Sequence, residues 1–158
     1  MRSKRISPLE PSAAERNTGG IAVAPNPASS GTRPATARRR RVLLVEDEDM
    51  VRKVISRMLT ARGFQVHTAA SGTQAMALFD QQDFEVDLLI TDLMMPECGG
   101  QVLAKTLSER ISSLKVLFVS GYSAAEADGW APARHRFLTK PFGSSELANA
   151  IDELFDDE

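Results

Sequence analysis

The stretch Val86 to Gly100, VDLLITDLMMPECGG, constrains this chain most, because a short apolar run ends abruptly on a carboxylate and then on a turn. Val86, Leu88, Leu89 and Ile90 have the make-up of a strand buried on both faces, as in a parallel sheet. Pro96, Gly99 and Gly100 stop the strand and force a loop, so Asp92 is expected at a strand end facing solvent. Taken alone, an Asp there is more ordinarily a turn former or helix cap than a reactive group. Its significance depends on where the other unusual residues fall.

Three further strand-like runs also end on polar or charged residues. Val42-Leu43-Leu44-Val45 runs into Glu46, Asp47, Glu48 and Asp49. Glu48 and Asp49 suit the start of a helix, where they complement its dipole, whereas Glu46 and Asp47 precede the helix and are not explained that way. Leu114 to Val119 ends on Ser120, Gly121 and Tyr122, and Arg134 to Thr139 ends on Lys140-Pro141. A fifth segment, Phe64 to Ala69, alternates as an outer strand would and leaves His67 as a surface histidine.

Helical patterns separate these runs. Residues 50 to 62 carry Val51, Val54, Ile55, Met58 and Leu59 on one face, and Gly63 closes the helix. Ser71 to Gln74 has capping-box spacing before Ala75, Leu78 and Phe79. A third helix follows Gly100 with Val102, Leu103 and Leu107 toward the core, and Gly129 and Pro132 allow only a short one between Ser123 and Pro132. A last begins near Gly143, with Leu147, Ala150, Ile151, Leu154 and Phe155 as its buried face. The alternation predicts an α/β fold, a doubly wound sheet of five parallel strands with helices on both faces.

In such sheets ligands bind beyond the carboxyl ends of the strands, near the switch in strand order. Glu46, Asp47, Asp92, Ser120 and Lys140 all fall there. Clustered carboxylates repel unless a cation joins them, and hard oxygen ligands with access to water suit Mg2+ better than zinc. A metal and a lysine together suit phosphoryl transfer, with the remaining carboxylate as nucleophile. That role falls to Asp92, with Asp47 a direct metal ligand and Glu46 a supporting acid.

VLLVEDED, LLITDLMMPECGG, VLFVSGYS and RFLTKPF, in this order and spacing, resemble the signatures of the bacterial response-regulator receiver domain. The resemblance covers about residues 42 to 156, within a domain set at residues 42 to 158, and implies the flavodoxin-like strand order 2-1-3-4-5. It implies that a sensor-kinase phosphohistidine donates a phosphoryl group to Asp92. Mg2+ would be held by Asp47 and Asp92 with the backbone carbonyl of Met94, and Glu46 beside them. By the same resemblance Ser120 binds the new phosphoryl oxygen, Phe137 turns inward with it, Lys140 binds the phosphoryl group and the Lys140-Pro141 bond is cis. Phe137 stands where Tyr is frequent, so the switch would rest on packing. Tyr122, with Gly121 before it, is expected to modulate hydrolysis by overhanging the phosphoryl group.

The implied partner is a sensor histidine kinase or a histidine phosphotransfer protein, the chain acting alone or as part of a hybrid kinase. A turnover enzyme is not expected, since a phosphohydrolase of this chemistry would want an acid where Met94 stands. A monomer or weak dimer is expected.

Residues 1 to 41 differ in kind. They hold five of the eight prolines, no aromatic residue, and nine Lys or Arg against two Glu, a net of +7, while the remainder carries ten against nineteen, a net of -9. Such a segment cannot bury enough apolar surface to offset its ordering entropy, so a disordered tail is predicted. It ends in Arg38 to Arg41, which can touch nucleic acid, a membrane surface or the acidic domain; without interleaved aromatics a solvated linker is the favoured reading over a nucleic-acid arm. No apolar run approaches the roughly 18 residues of a membrane span and no signal peptide is evident, so a cytoplasmic location is expected. The single cysteine, Cys98, is expected to be a loop residue without chemistry.

Overall fold

The computed structural model describes residues 38–81, 83–121 and 131–157. Its elements run β1 (Arg41–Val45), α1 (Asp49–Ala61), β2 (Gln65–Ala69), α2 (Gly72–Phe79), β3 (Leu88–Asp92), α3 (Gly100–Arg110), β4 (Lys115–Ser120), β5 (His135–Thr139) and α4 (Ser144–Asp156). The five strands form one parallel sheet in the order β2-β1-β3-β4-β5, as expected. The short helix expected between Ser123 and Pro132 falls mainly outside the described residues, as do Tyr122 and the tail up to Ala37.

The pleat of the central strands divides the core in two. Leu43 and Val45 of β1, Leu89 of β3 and Val116 and Phe118 of β4 pack toward Ala75 of α2 and Leu103, Ala104 and Leu107 of α3. Val42, Leu44, Leu88, Ile90, Leu117 and Val119 point the other way, onto Ile55 and Leu59 of α1 and Leu147, Ile151 and Leu154 of α4. Successive side chains of a strand leave on opposite faces, so an unbroken apolar run can serve both layers only if both are covered by helices.

Local signals close the helices where the sequence places them. Gly63 adopts φ +89°, a conformation that side chains rarely take, and its N–H donates to Thr60 O at 2.9 Å. Ser71 Oγ accepts from Gln74 N, but the Gln74 side chain accepts from Ala70 N, one residue before the expected partner. Gly143 N donates to Glu146 Oε2 at 2.7 Å, opening α4.

Two apolar residues assigned to the core stand in solvent. Val54 on α1 is 46% exposed and Val102 on α3 is 60% exposed, because the stripe that meets the sheet is carried by Ile55 and Leu59, and by Leu103, Ala104 and Leu107. His67 is half-buried and not a free surface residue, with its ring edge-on to Phe84 at 4.9 Å. Cys98 is half-buried too, lying where any side chain on Gly72 would meet it at 2.8 Å.

The arginine run stands with the domain rather than with the tail. Arg38 pairs with Glu85 and, at 2.9 Å, with Asp87; Arg41 meets Glu85 at 3.0 Å, and its backbone N–H donates to Asp87 Oδ2 at 2.7 Å. Arg40 lies over the Phe155 ring, 3.8 Å from its centroid. The acids just before β3 therefore receive the cations that begin β1, the third of the partners open to that run.

Candidate functional site

β1 and β3 are neighbours, yet from β1 the chain turns outward to β2 before returning to β3, so the strand order reverses between them. A crevice forms at such a point because the flanking connections leave in opposite directions. Glu46 and Asp47 follow β1 directly, and Asp92 is the last residue of β3. One carboxylate oxygen from each of Glu46, Asp47 and Asp92 lies within 4.8 Å of the others. Glu46 is 1% exposed and Asp92 8%, whereas Asp47 opens to solvent.

Lys140 closes this cluster from the far side of the sheet. Its Nζ donates to Asp92 Oδ2 and to Glu46 Oε2, each at 2.7 Å. The backbone delivers it there, since Ser120 pairs with Thr139 across β4 and β5 and Lys140 N donates to Ser120 O at 2.7 Å. The Lys140-Pro141 peptide that follows is cis.

Asp92 is held at both oxygens. Oδ1 accepts from Met94 N at 2.9 Å, while Lys140 donates to Oδ2, leaving each oxygen further acceptor capacity. The Met94 side chain itself is 70% exposed at the lip of the site. The loop after Asp92 passes so close to α3 that a Cβ on Gly100 would stand 2.1 Å from Asp92 O. That need for glycine is invisible in the sequence, where Gly100 registers only as a strand breaker.

Burial pushes the Glu46 carboxyl above its ordinary range; the hydrogen bonds from Lys140 and Glu48 N oppose this only in part, and the Asp92 charge adds to it. Burial draws the Lys140 ammonium down, but hydrogen bonds and charge from Asp92 and Glu46 outweigh that and leave it raised. Lys140 is therefore fully charged, and the Glu46 carboxyl takes up a proton more readily than an ordinary glutamate does.

Ser120 is buried at the end of β4, one position beyond the residue that pairs with Asp92. Gly121 is exposed, with open space where a Cβ would go. Phe137 pairs with Phe118 across β4 and β5, its half-buried ring stacked on the Phe118 ring at 5.2 Å and edge-on to His135 at 5.3 Å. The structure thus brings Glu46, Asp47, Asp92 and Lys140 together, sets Ser120 beside them, and leaves Phe137 one strand away. Beside the same rim runs an open apolar groove of about 300 Å³, lined by Met50, Val54, Met58, Pro141 and Phe142.

One contributor is not evident in the sequence. Arg52, one turn into α1, donates from Nη1 to Glu46 O and from Nη2 to Asp49 Oδ1, both at 2.7 Å. The i,i+3 spacing of Asp49 and Arg52 shows the second contact but not the first.

The model of the response regulator receiver domain matches residues 42–152. The chain belongs to the response regulator receiver domain family. The receiver domain is 41% identical over 117 residues to the sensor kinase CckA of Brucella abortus, covering 73% of this chain and 12% of CckA. It is 32% identical over 117 residues to the response regulator receiver protein CpdR of Brucella abortus, covering 73% of this chain and 96% of CpdR. Among solved structures, the receiver domain of the hybrid histidine kinase CckA matches with TM-score 0.58 and 36% identity, over 72% of this chain and 97% of that one. The response regulator TrrA of Thermotoga maritima, solved in complex with Mg(2+)-BeF, matches with TM-score 0.64 and 26% identity, over 73% and 98%. The chain is therefore a receiver domain of two-component phosphorelay systems. Among the described residues no helix is long and apolar enough to cross a membrane.

Proposed function

We propose that this receiver domain accepts a phosphoryl group on Asp92 from the phosphohistidine of a sensor kinase or a histidine phosphotransfer protein. The observation that carries the reading is the double engagement of Lys140 by Asp92 and Glu46 beside the exposed acid Asp47. A remaining lone pair of the Asp92 carboxylate attacks phosphorus as the phosphorus–nitrogen bond to histidine breaks, and the imidazole leaves with that electron pair. The three clustered carboxylates are a hard oxygen set of the kind Mg2+ takes. Mg2+ held by Asp47 and Asp92, with Glu46 and the Met94 backbone carbonyl beside it, supplies neutralisation of the phosphoryl oxygens when bound.

On transfer the Asp92 carboxylate becomes an acyl phosphate that carries its charge on the phosphoryl oxygens, and Lys140 is the cation already in place to follow that charge. Ser120, next along β4 to the residue that pairs with Asp92, is the hydroxyl that binds a phosphoryl oxygen, and Phe137, packed on Phe118, is the aromatic whose repacking reports that movement at the surface. Tyr122 and Gly121 border the same rim in sequence and modulate the phosphoryl lifetime. The apolar groove beside Lys140 gives a protein donor a surface to rest on. The chain acts as a phosphoacceptor switch and not as a turnover enzyme; Met94 occupies the position where a phosphohydrolase would need its acid.

The test is phosphorylation by a small-molecule phosphodonor with Mg2+, read by intact mass on the native chain and on Asp92→Asn. The expected result is one phosphoryl mass on the native chain and none on the variant. Modification of neither would mean a binding surface that has kept the architecture without the chemistry. Where the native chain is modified, reversible exchange with a histidine phosphotransfer protein favours a relay role over a terminal output.

A further inference from the structure

We infer that Arg52 is a positioning residue for the cation site, acting by locking the peptide that aims Asp47. The inference rests on the reading of Glu46, Asp47 and Asp92 as an Mg2+ site. Its starting point is a problem of charge: Glu46, Asp47, Glu48 and Asp49 are consecutive, with β1 ending before the first and α1 beginning only at the last. Like charges so close tend to splay the segment, and a metal site with splayed ligands loses affinity.

The side chain of Glu46 is anchored by Lys140 and by Glu48 N at 3.2 Å. Those contacts leave the direction of Asp47 open. That direction depends on the plane of the Glu46–Asp47 peptide, whose carbonyl oxygen is Glu46 O. This atom receives Arg52 Nη1 at 2.7 Å, while Glu46 N donates to Ala69 O at 3.1 Å. The Arg52 side chain is 17% exposed, and its second arm is fixed on Asp49 Oδ1 while its own N–H donates to Glu48 O at 2.9 Å. One planar fork thus ties the start of α1 to the peptide before Asp47. An ammonium in its place lacks that geometry.

The positional role and a bare charge effect predict opposite signs. Removing a cation near a dication site tightens dication binding if charge is all that matters. Removing a support that orients a ligand weakens binding, by about 10-fold or more for groups that orient metal ligands. A residue that only stabilises the fold leaves the affinity of the folded protein unchanged.

The experiment is calorimetric titration of the full chain with Mg2+ alone, for the native protein, Arg52→Met and Arg52→Lys, each checked for folding by circular dichroism. The expected result is weaker binding for Arg52→Met by about 10-fold, and weaker binding for Arg52→Lys as well, although its charge is kept. Binding by Arg52→Met as tight as native or tighter overturns the inference; so does native affinity in Arg52→Lys, which also decides the matter should Arg52→Met not fold. Failure of the native chain itself to bind Mg2+ would overturn the cation-site reading and this inference with it.

Discussion

Lys140 Nζ lies 2.7 Å from Asp92 Oδ2 across 48 residues of sequence, and the same ammonium reaches Glu46, 94 residues away. One cation therefore serves two buried carboxylates. Removing it leaves both uncompensated. Lys140→Met is expected to cost about 1–3 kcal/mol in chelator, below the usual figure for a buried pair because the Lys140 side chain is 22% exposed. Saturating Mg2+ should narrow the gap, since a dication takes over the neutralisation. Urea unfolding of both proteins in chelator and in Mg2+ checks this, and an unchanged gap would count against a shared site.

The raised Glu46 carboxyl predicts a pH signature. Its folded pKa lies above the ordinary value of 4.5, so the native state holds this proton more tightly than the unfolded chain does. Stability from this group is fully present below about pH 4.5 and is lost as pH rises through the folded pKa. Glu46→Gln abolishes the titration. In chelator, the stability of the native protein relative to Glu46→Gln should therefore fall as pH rises through that window and level off above it. Chemical unfolding at a series of pH values measures the difference; a flat or rising curve contradicts the assignment.

Gly100 and Gly99 should behave differently despite being adjacent. A Cβ on Gly100 would stand 2.1 Å from Asp92 O and 2.9 Å from Thr91 Oγ1, whereas one on Gly99 meets Leu93 O at an ordinary 3.5 Å. Gly100→Ala is expected to cost about 1–3 kcal/mol and to slow phosphorylation, because Asp92 backbone must move. Gly99→Ala should stay within about 0.5 kcal/mol. Unfolding midpoints and the phosphorylation rate of the two variants make the comparison.

At the amino ends of the strands, Asp87 receives Arg38 and the Arg41 backbone N–H. Asp87→Ala is expected to cost about 1 kcal/mol, mostly through the lost backbone bond. Arg38→Ala should cost less than about 1 kcal/mol and lose most of that effect in about 1 M salt, because its pairs are half exposed. Unfolding at low and high salt separates the two contributions.

Much of this protein was legible in its sequence. The runs that end on Glu46, Asp92, Ser120 and Lys140 establish parallel strands sharing one functional rim, because apolar periodicity and chain-breaking residues act over a few positions. What the sequence did not show is equally specific. Val54 and Val102 carry helical spacing and yet face solvent, since which part of an apolar stripe meets the sheet depends on how each helix is rolled against it. Arg38 to Arg41 have the composition of a tail, and yet Arg38 and Arg41 hold Glu85 and Asp87, a match visible only once β1 and β3 lie side by side.

The sequence by itself determined the order of elements and the chemical character of each strand end. Only the tertiary structure decided that Lys140 would serve Glu46 and Asp92 together, that Gly100 would leave room for Asp92 backbone, and that Arg52 would hold the peptide before Asp47. These are relationships of distance between segments brought together by the crossovers of the sheet, and the packing of its two faces sets them at a precision that local pattern does not encode.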